Sequence, residues 1–159
     1  MRLTIAAVGR LKAGPERELY DRYVKRAADA GRRIGLTVST REFPESRAGS
    51  AEARAAQEAT ALLGAASEEA VVVALDERGR NLASDAFAER LAGWRDGGTG
   101  EVVFTVGGPD GLAPAVTGRA ELRLAFGALT WPHQLARVML AEQVYRAVTI
   151  LSGHPYHRA

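Results

Sequence analysis

Two runs of apolar residues, Val71–Leu75 and Val102–Val106, constrain the fold of this chain more than any other feature. Neither alternates polar with apolar positions. Each therefore reads as a strand covered on both faces, the pattern of a parallel sheet held between helices. Leu3–Val8 has the same character and is closed by Gly9. Helical patterns fall between these runs. Pro15 opens a helix carrying Leu19, Tyr20, Tyr23, Val24 and Ala27 at helical spacing. Leu36–Phe43 alternates like a strand, Pro44–Ser50 is a polar loop, and Ala51–Leu63 is an Ala-rich helix. After a turn at Asp76–Arg80, Ser84 is expected to cap a helix running to about Trp94. A short helix near Pro114, a strand near Leu122–Phe126 and a long helix from about Gln134 to Leu151 complete the alternation. The expectation is an α/β fold, one domain over residues 1–159, with a mostly parallel sheet and helices on both faces.

In such sheets ligands bind in the loops beyond the carboxyl ends of the strands. Three loops here have that position: Asp76–Arg80, Gly107–Gly111 and Gly127–His133. The paired glycines Gly107 and Gly108 let a backbone approach a ligand closely, and Pro109 then fixes the chain direction. An ordinary strand-to-helix turn would use the same residues. The loop is not a P-loop, since no Gly-Lys-Ser/Thr follows, and its glycine spacing is wrong for a dinucleotide fingerprint. The Gly127–His133 segment combines apolar side chains with free backbone amides and carbonyls, which suits an adenine ring. A buried connection with Trp131 in the core explains it equally.

Composition removes several classes of function. The chain has no cysteine, which excludes disulfides, thiolate metal sites and cysteine nucleophiles. No HExxH-like spacing suggests a metal. The first residues are strand-like rather than a signal region, and no apolar run approaches ~18 residues, so a cytoplasmic protein with no membrane partner is expected. The formal charge is +2, and Lys12 and Lys25 are the only lysines. Arginine is the better reader of phosphates and bases, so the composition permits an RNA partner. Coding bias toward Arg and Ala accounts for it as well.

The end of the chain holds the remaining chemistry. Leu135, Val138, Met139, Tyr145 and Val148 form a stripe on the last helix, with Glu142 inside it and Arg146 four residues on. The pair is an ordinary helix ion pair, or it marks a subunit interface or the edge of a site. The tail sets His154 and His157 beside Tyr156 and Arg158, groups that can move a proton, stack on a base or hold a phosphate. A frayed terminus has the same composition.

Taken together these segments resemble the RlmH family of the SPOUT methyltransferase class. The resemblance rests on Ala7-Val8-Gly9, Leu75-Asp76, Gly107-Gly108-Pro109-Asp110-Gly111-Leu112 and Ala128-Leu129-Thr130-Trp131-Pro132-His133 with Arg137. It continues through Ala141-Glu142-Gln143-Val144-Tyr145-Arg146-Ala147 to the closing His154-Pro155-Tyr156-His157-Arg158. The likeness spans essentially the whole chain and is strongest after Val71. It implies an α/β trefoil knot, with the C-terminal segment threaded through a loop, a rare departure from unknotted topology. It implies a homodimer and S-adenosyl-L-methionine as cofactor, surrounded by Leu75, Gly107, Gly108, Gly127, Ala128, Leu129, Thr130, Trp131 and Pro132. The chain departs from the family pattern at Phe126-Gly127 and Trp131, so the resemblance implies backbone rather than side-chain contacts there. The implied reaction is methylation of N3 of a pseudouridine in a hairpin of bacterial large-subunit (23S) ribosomal RNA, within the assembled ribosome. His154 and His133 are candidates to accept the N3 proton, and Tyr156 and Arg158 to hold the base and its phosphate. Loss of the proton to water is an alternative that needs no protein base. Arg2, Arg10, Lys12 and the Arg22–Arg26 stretch are candidates for phosphate contacts. The competing readings are a SPOUT enzyme acting on tRNA and a non-catalytic ribosome-binding α/β protein.

Overall fold

A computed structural model of the chain describes residues 1–157. Five strands form one sheet: β1 (Arg2–Val8), β2 (Thr37–Phe43), β3 (Val71–Asn81), β4 (Glu101–Val106) and β5 (Leu122–Ala125). Their order is β2-β1-β4-β3-β5, and every pairing is parallel. The helices are α1 (Pro15–Gly31), α2 (Ala51–Leu63), α3 (Ser84–Asp96), α4 (Pro114–Arg119) and α5 (His133–Leu151), with a short 3-10 turn at Arg32–Ile34.

The apolar runs are central strands, as their lack of alternation requires. Along β1, Leu3, Ile5 and Ala7 pack with residues of α1, α3 and α5, while Ala6 and Val8 pack with residues of α2 and α4. Two hydrophobic layers thus cover the two faces of one sheet. β2 is different: it is an edge strand whose residues are half-buried or exposed, which explains its polar alternation. The expected α/β architecture, parallel sheet and two-sided helical cover are all present.

Three local expectations need correction. Asp76–Arg80 is not a turn that ends the strand. β3 continues to Asn81, and Leu75 and Arg80 both pair with Leu124, so residues 76–79 bulge outward and the chain rejoins β5. Gly79 permits this, because a Cβ there would lie 2.6 Å from the Arg123 backbone. Ser84 does not cap α3; Ala83 holds the cap position, and the Ser84 hydroxyl instead donates to Gln143 Oε1 at 2.8 Å. The stripe on α5 is also broader than read. Leu135 is exposed and Met139 only half-buried, whereas Arg137, Leu140, Ala141 and Val144 are buried. The helix is wedged beside both α1 and α3, so it needs apolar cover on more than one side.

The path into α5 fixes the rest. β5 is an edge strand, yet Arg137 in the second turn of α5 touches the end of β1. The segment between them must cross above the ends of β3 and β4 to reach its helix. The chain thus returns across the carboxyl edge of the sheet between β5 and α5.

Candidate functional site

The bulge after Leu75, the glycine loop after β4 and the crossing segment after β5 meet at the carboxyl end of the sheet. They enclose a cleft of about 670 Å³. Leu75, Gly107, Gly108, Gly127, Leu129, Thr130, Trp131, Pro132 and His133 all line it. Ala128 does not, although its neighbours do. Nine of the residues singled out from sequence are therefore brought together by three separate loops.

One wall is the glycine loop. Gly107 and Gly108 are buried, and Gly111 N–H donates to Gly108 O at 3.0 Å, closing the loop on itself. A Cβ on Gly107 would lie 2.6 Å from the Gly111 carbonyl, so the loop closes only on glycine at that position. Gly111 has φ +79°, a conformation glycine adopts without strain. The opposite wall is the crossing segment, held where Gly127 N–H donates to Asn81 Oδ1 at 2.9 Å and Trp131 Nε1 donates to Phe126 O at 2.9 Å. Trp131 is 41% exposed and is not the core residue its alternative reading required. A side chain on Gly111 or Gly127 would meet open space, so the cleft has room beside both glycines. At the rim, Arg123 donates to Asp76 Oδ2 at 2.7 and 3.0 Å and ties the β3 bulge to β5.

Behind this site lies an ionic pin. The Arg137 guanidinium, 1% exposed, donates to Glu42 Oε1 at 2.8 Å and to the carbonyls of Val8 and Gly9 at 2.7 and 3.1 Å. Glu42 also accepts from Arg17 and from Leu11 N–H. Burial alone would raise the Glu42 pKa, but Arg17, the Leu11 amide and Arg137 outweigh it and hold the carboxyl below its ordinary value. Burial lowers the Arg137 pKa, with Glu42 opposing. The pin fixes the start of α5, and hence the far end of the crossing segment, to β1 and β2.

The tail lies elsewhere. Neither His154 nor Tyr156 lines the cleft. Tyr156 folds back onto α5, its ring 4.6 Å from Tyr145 and its hydroxyl donating to Glu142 Oε1 at 3.0 Å. Glu142 is nine residues past His133, about 14 Å down the helix at 1.5 Å per residue. Arg146 donates to the same carboxylate at 2.9 Å and sits 4.9 Å over the Tyr156 ring. Burial and the hydrogen bonds with Tyr23 and Glu142 push the Tyr156 phenol up, so it stays a neutral donor near neutral pH. His157 Nδ1 accepts from Arg146, and its Nε2 lies 3.1 Å from Asp85. The described tail is thus docked by side-chain contacts, not frayed. His154 is exposed, and Arg158 lies outside the described residues.

The sequence reading named Asp110 only as part of the glycine loop and missed Arg123 and Arg54. Their roles depend on ion pairs between segments about fifty residues apart, which no local spacing announces. Among the described residues no cluster of three or more His, Asp or Glu is placed to hold a metal ion. None of their helices is long and apolar enough to cross a membrane.

A parallel α/β sheet whose last strand leads back across the sheet, with a glycine-walled cleft at the crossing, is the architecture of one class of methyltransferase. A family model described as predicted SPOUT methyltransferase matches residues 1–157, and the chain belongs to that family. Its relatives are more specific. A protein of Bradyrhizobium diazoefficiens named ribosomal RNA large subunit methyltransferase H is 56% identical over 160 residues, covering 100% of both chains. One of the same name from Xanthobacter autotrophicus is 58% identical, again over 100% of both. Among solved structures, a probable methylase family protein from Haemophilus influenzae Rd KW20 covers 99% of this chain and 70% of its own, at TM-score 0.48 and 13% identity.

Proposed function

We propose that this chain methylates large-subunit ribosomal RNA in the bacterial cytoplasm, at N3 of a pseudouridine in a hairpin of the assembled ribosome, using S-adenosyl-L-methionine. The observation that carries the reading is the convergence of Leu75, Gly107, Gly108, Gly127 and Leu129–Pro132 on one cleft in a chain with full-length relatives of that name. The cleft fits the donor. Its volume is ordinary for a cofactor site, and its walls alternate apolar side chains with exposed peptide groups, as an adenosine needs. The Asp76 carboxylate and the guanidiniums of Arg78 and Arg123 stand at the rim, partners for a zwitterionic amino acid.

When bound, the donor supplies an already activated sulfonium methyl. The chain has to bind it, exclude water and align the nucleophilic nitrogen. Leu75, Val106 and Phe126 supply dry surface, and the glycine loop and crossing segment supply backbone groups. To act as the nucleophile, N3 would give up its proton. His133 lines the cleft and can accept that proton. His154 cannot do so within one chain, because it sits past the far end of α5.

A homodimer resolves that separation. Leu129, Trp131 and Leu135 are exposed around the cleft in the single chain, a patch that a second copy would cover. Such a copy would bring its own His154 and Tyr156 to the mouth. Arg10, Lys12, Arg22 and Arg26 are exposed and would supply phosphate contacts. The test is incubation with methyl-labelled S-adenosylmethionine and ribosomes lacking the modification, beside isolated large subunits and bulk tRNA. Label at N3 of a large-subunit pseudouridine is expected. Label in tRNA would overturn the substrate, and donor binding without any label would point to a non-catalytic ribosome-binding protein. A dimer of one His154→Ala copy and one Gly108→Arg copy should recover part of the activity that each homodimer lacks.

A further inference from the structure

α2 covers the sheet face opposite α5, and none of its residues lines the cleft. Two of its side chains nevertheless reach the cleft's glycine wall from behind. The Arg54 guanidinium forks onto Asp110, with Nε to Oδ2 at 2.7 Å and Nη2 to Oδ1 at 3.0 Å. Its third nitrogen donates to Ala48 O at 3.2 Å, in the loop before α2. Four residues on, hence on the same face of the helix, Glu58 is 5% exposed. Its Oε1 accepts from Ser46 N–H at 2.9 Å. Its Oε2 is buried and has no hydrogen-bond partner among the described residues, an arrangement costly in isolation. That oxygen would lie 3.2 Å from a Cβ on Gly108, and Val8 Cγ1 would lie 3.0 Å from the same atom.

Both residues therefore grip the same two segments, the loop before α2 and the glycine loop. Arg54 fixes the loop laterally through a bidentate ion pair. Glu58 and Val8 fill the space behind Gly108 and set how far its peptide can recede from the cleft. We propose that α2 sets the position of the glycine loop against the methyl donor, with Arg54 and Glu58 as positioning residues that touch neither donor nor RNA. The proposal rests on the reading of the cleft as the donor site. A displaced loop weakens backbone contacts that hold the donor equally in the ground and transition states, so the pair governs donor affinity more than turnover.

The experiment measures donor binding by calorimetry and steady-state methyl transfer to ribosomes. It uses the wild type, Arg54→Ala, Asp110→Ala, the double variant, Arg54→Lys and Glu58→Gln. Arg54→Ala should raise KM for S-adenosylmethionine about tenfold while kcat stays within about twofold. The double variant should be no worse than the more impaired single variant, because both remove one interaction. Arg54→Lys should recover only part of the loss, since an ammonium cannot make the fork. Glu58→Gln, which keeps the shape behind Gly108 and the acceptor for Ser46 N–H, should leave KM within about twofold of the wild type. Single effects that multiply in the double variant would place Asp110 directly on the donor and overturn the proposal. So would an Arg54→Ala protein with a lower Tm and unchanged KM, the mark of a merely structural pair. A wild type that does not bind S-adenosylmethionine would sink the donor reading itself. A wild type that binds, beside an Arg54→Ala variant that binds equally well, would sink this proposal alone.

Discussion

The two walls of the cleft are built to different standards. The glycine loop is buried at Gly107 and Gly108, bonded to itself between Gly108 and Gly111, and tethered from α2 through Arg54. The crossing segment opposite is exposed from Ala128 to Pro132, with Leu129 70% exposed. Two side-chain-mediated hydrogen bonds, at Gly127 and Trp131, hold it. One wall has its shape in the single chain. The other is pinned only at its ends and leaves apolar side chains for a ligand or a second copy to cover.

The largest effect should come from releasing one of those ends. Arg137 ties the start of α5 to Glu42 and to the last carbonyls of β1. Arg137→Leu keeps an apolar side chain in the space but strands two buried carbonyls and removes a cation from Glu42. Because Arg17 still partners Glu42, the loss belongs at the low end of the range for a broken buried pair, about 3 kcal/mol in urea unfolding. Backbone amides of the crossing segment should exchange faster in this variant while those of the glycine loop stay protected. Equal loosening of both walls would end the distinction between them.

A smaller effect separates the walls directly. Gly107→Ala places a methyl 2.6 Å from the Gly111 backbone, which cannot yield without reshaping the loop. Donor affinity should fall about a hundredfold in calorimetry. Leu129→Ala, on the exposed wall, should cost a single chain no more than about threefold. Comparable losses would mean that the crossing segment is as preorganised as the glycine loop.

The same contrast explains what could be read from the sequence. The central strands were legible because double-sided burial forces continuous apolar runs, and Val71–Leu75 and Val102–Val106 have little else they can form. The cleft was legible because glycines at strand ends and an apolar segment before a helix leave a local trace. The bulge at residues 76–79 was not. Its residues have turn chemistry, and only the pairing of Arg80 with Leu124 shows the chain returning to the sheet. Arg54–Asp110 and Arg137–Glu42 were hidden because each joins distant segments and looks like surface charge in the linear sequence. The tail was half legible: its chemistry was plain, but its docking on Tyr145, Glu142 and Asp85 is a tertiary fact.

The smallest effect on the isolated chain is the most informative about assembly. Trp131 donates one hydrogen bond to Phe126 O but is 41% exposed, and Leu129 beside it makes little use of its side chain. If these residues only decorate a surface loop, replacing both with serine should alter unfolding stability by about 0.5 kcal/mol or less and change nothing else. If a second copy covers them, the variant loses buried apolar area in the dimer alone, and at ~25 cal/mol per Å² two large side chains contribute a few kcal/mol. Sedimentation equilibrium of the Leu129→Ser, Trp131→Ser variant should then show dimer dissociation weakened by at least about tenfold. Methyl transfer should fall with the dimer fraction and recover at high protein concentration. A variant that remains fully dimeric would show that the exposed wall faces solvent or RNA, and the proposed dimer would need its contacts elsewhere on the molecule.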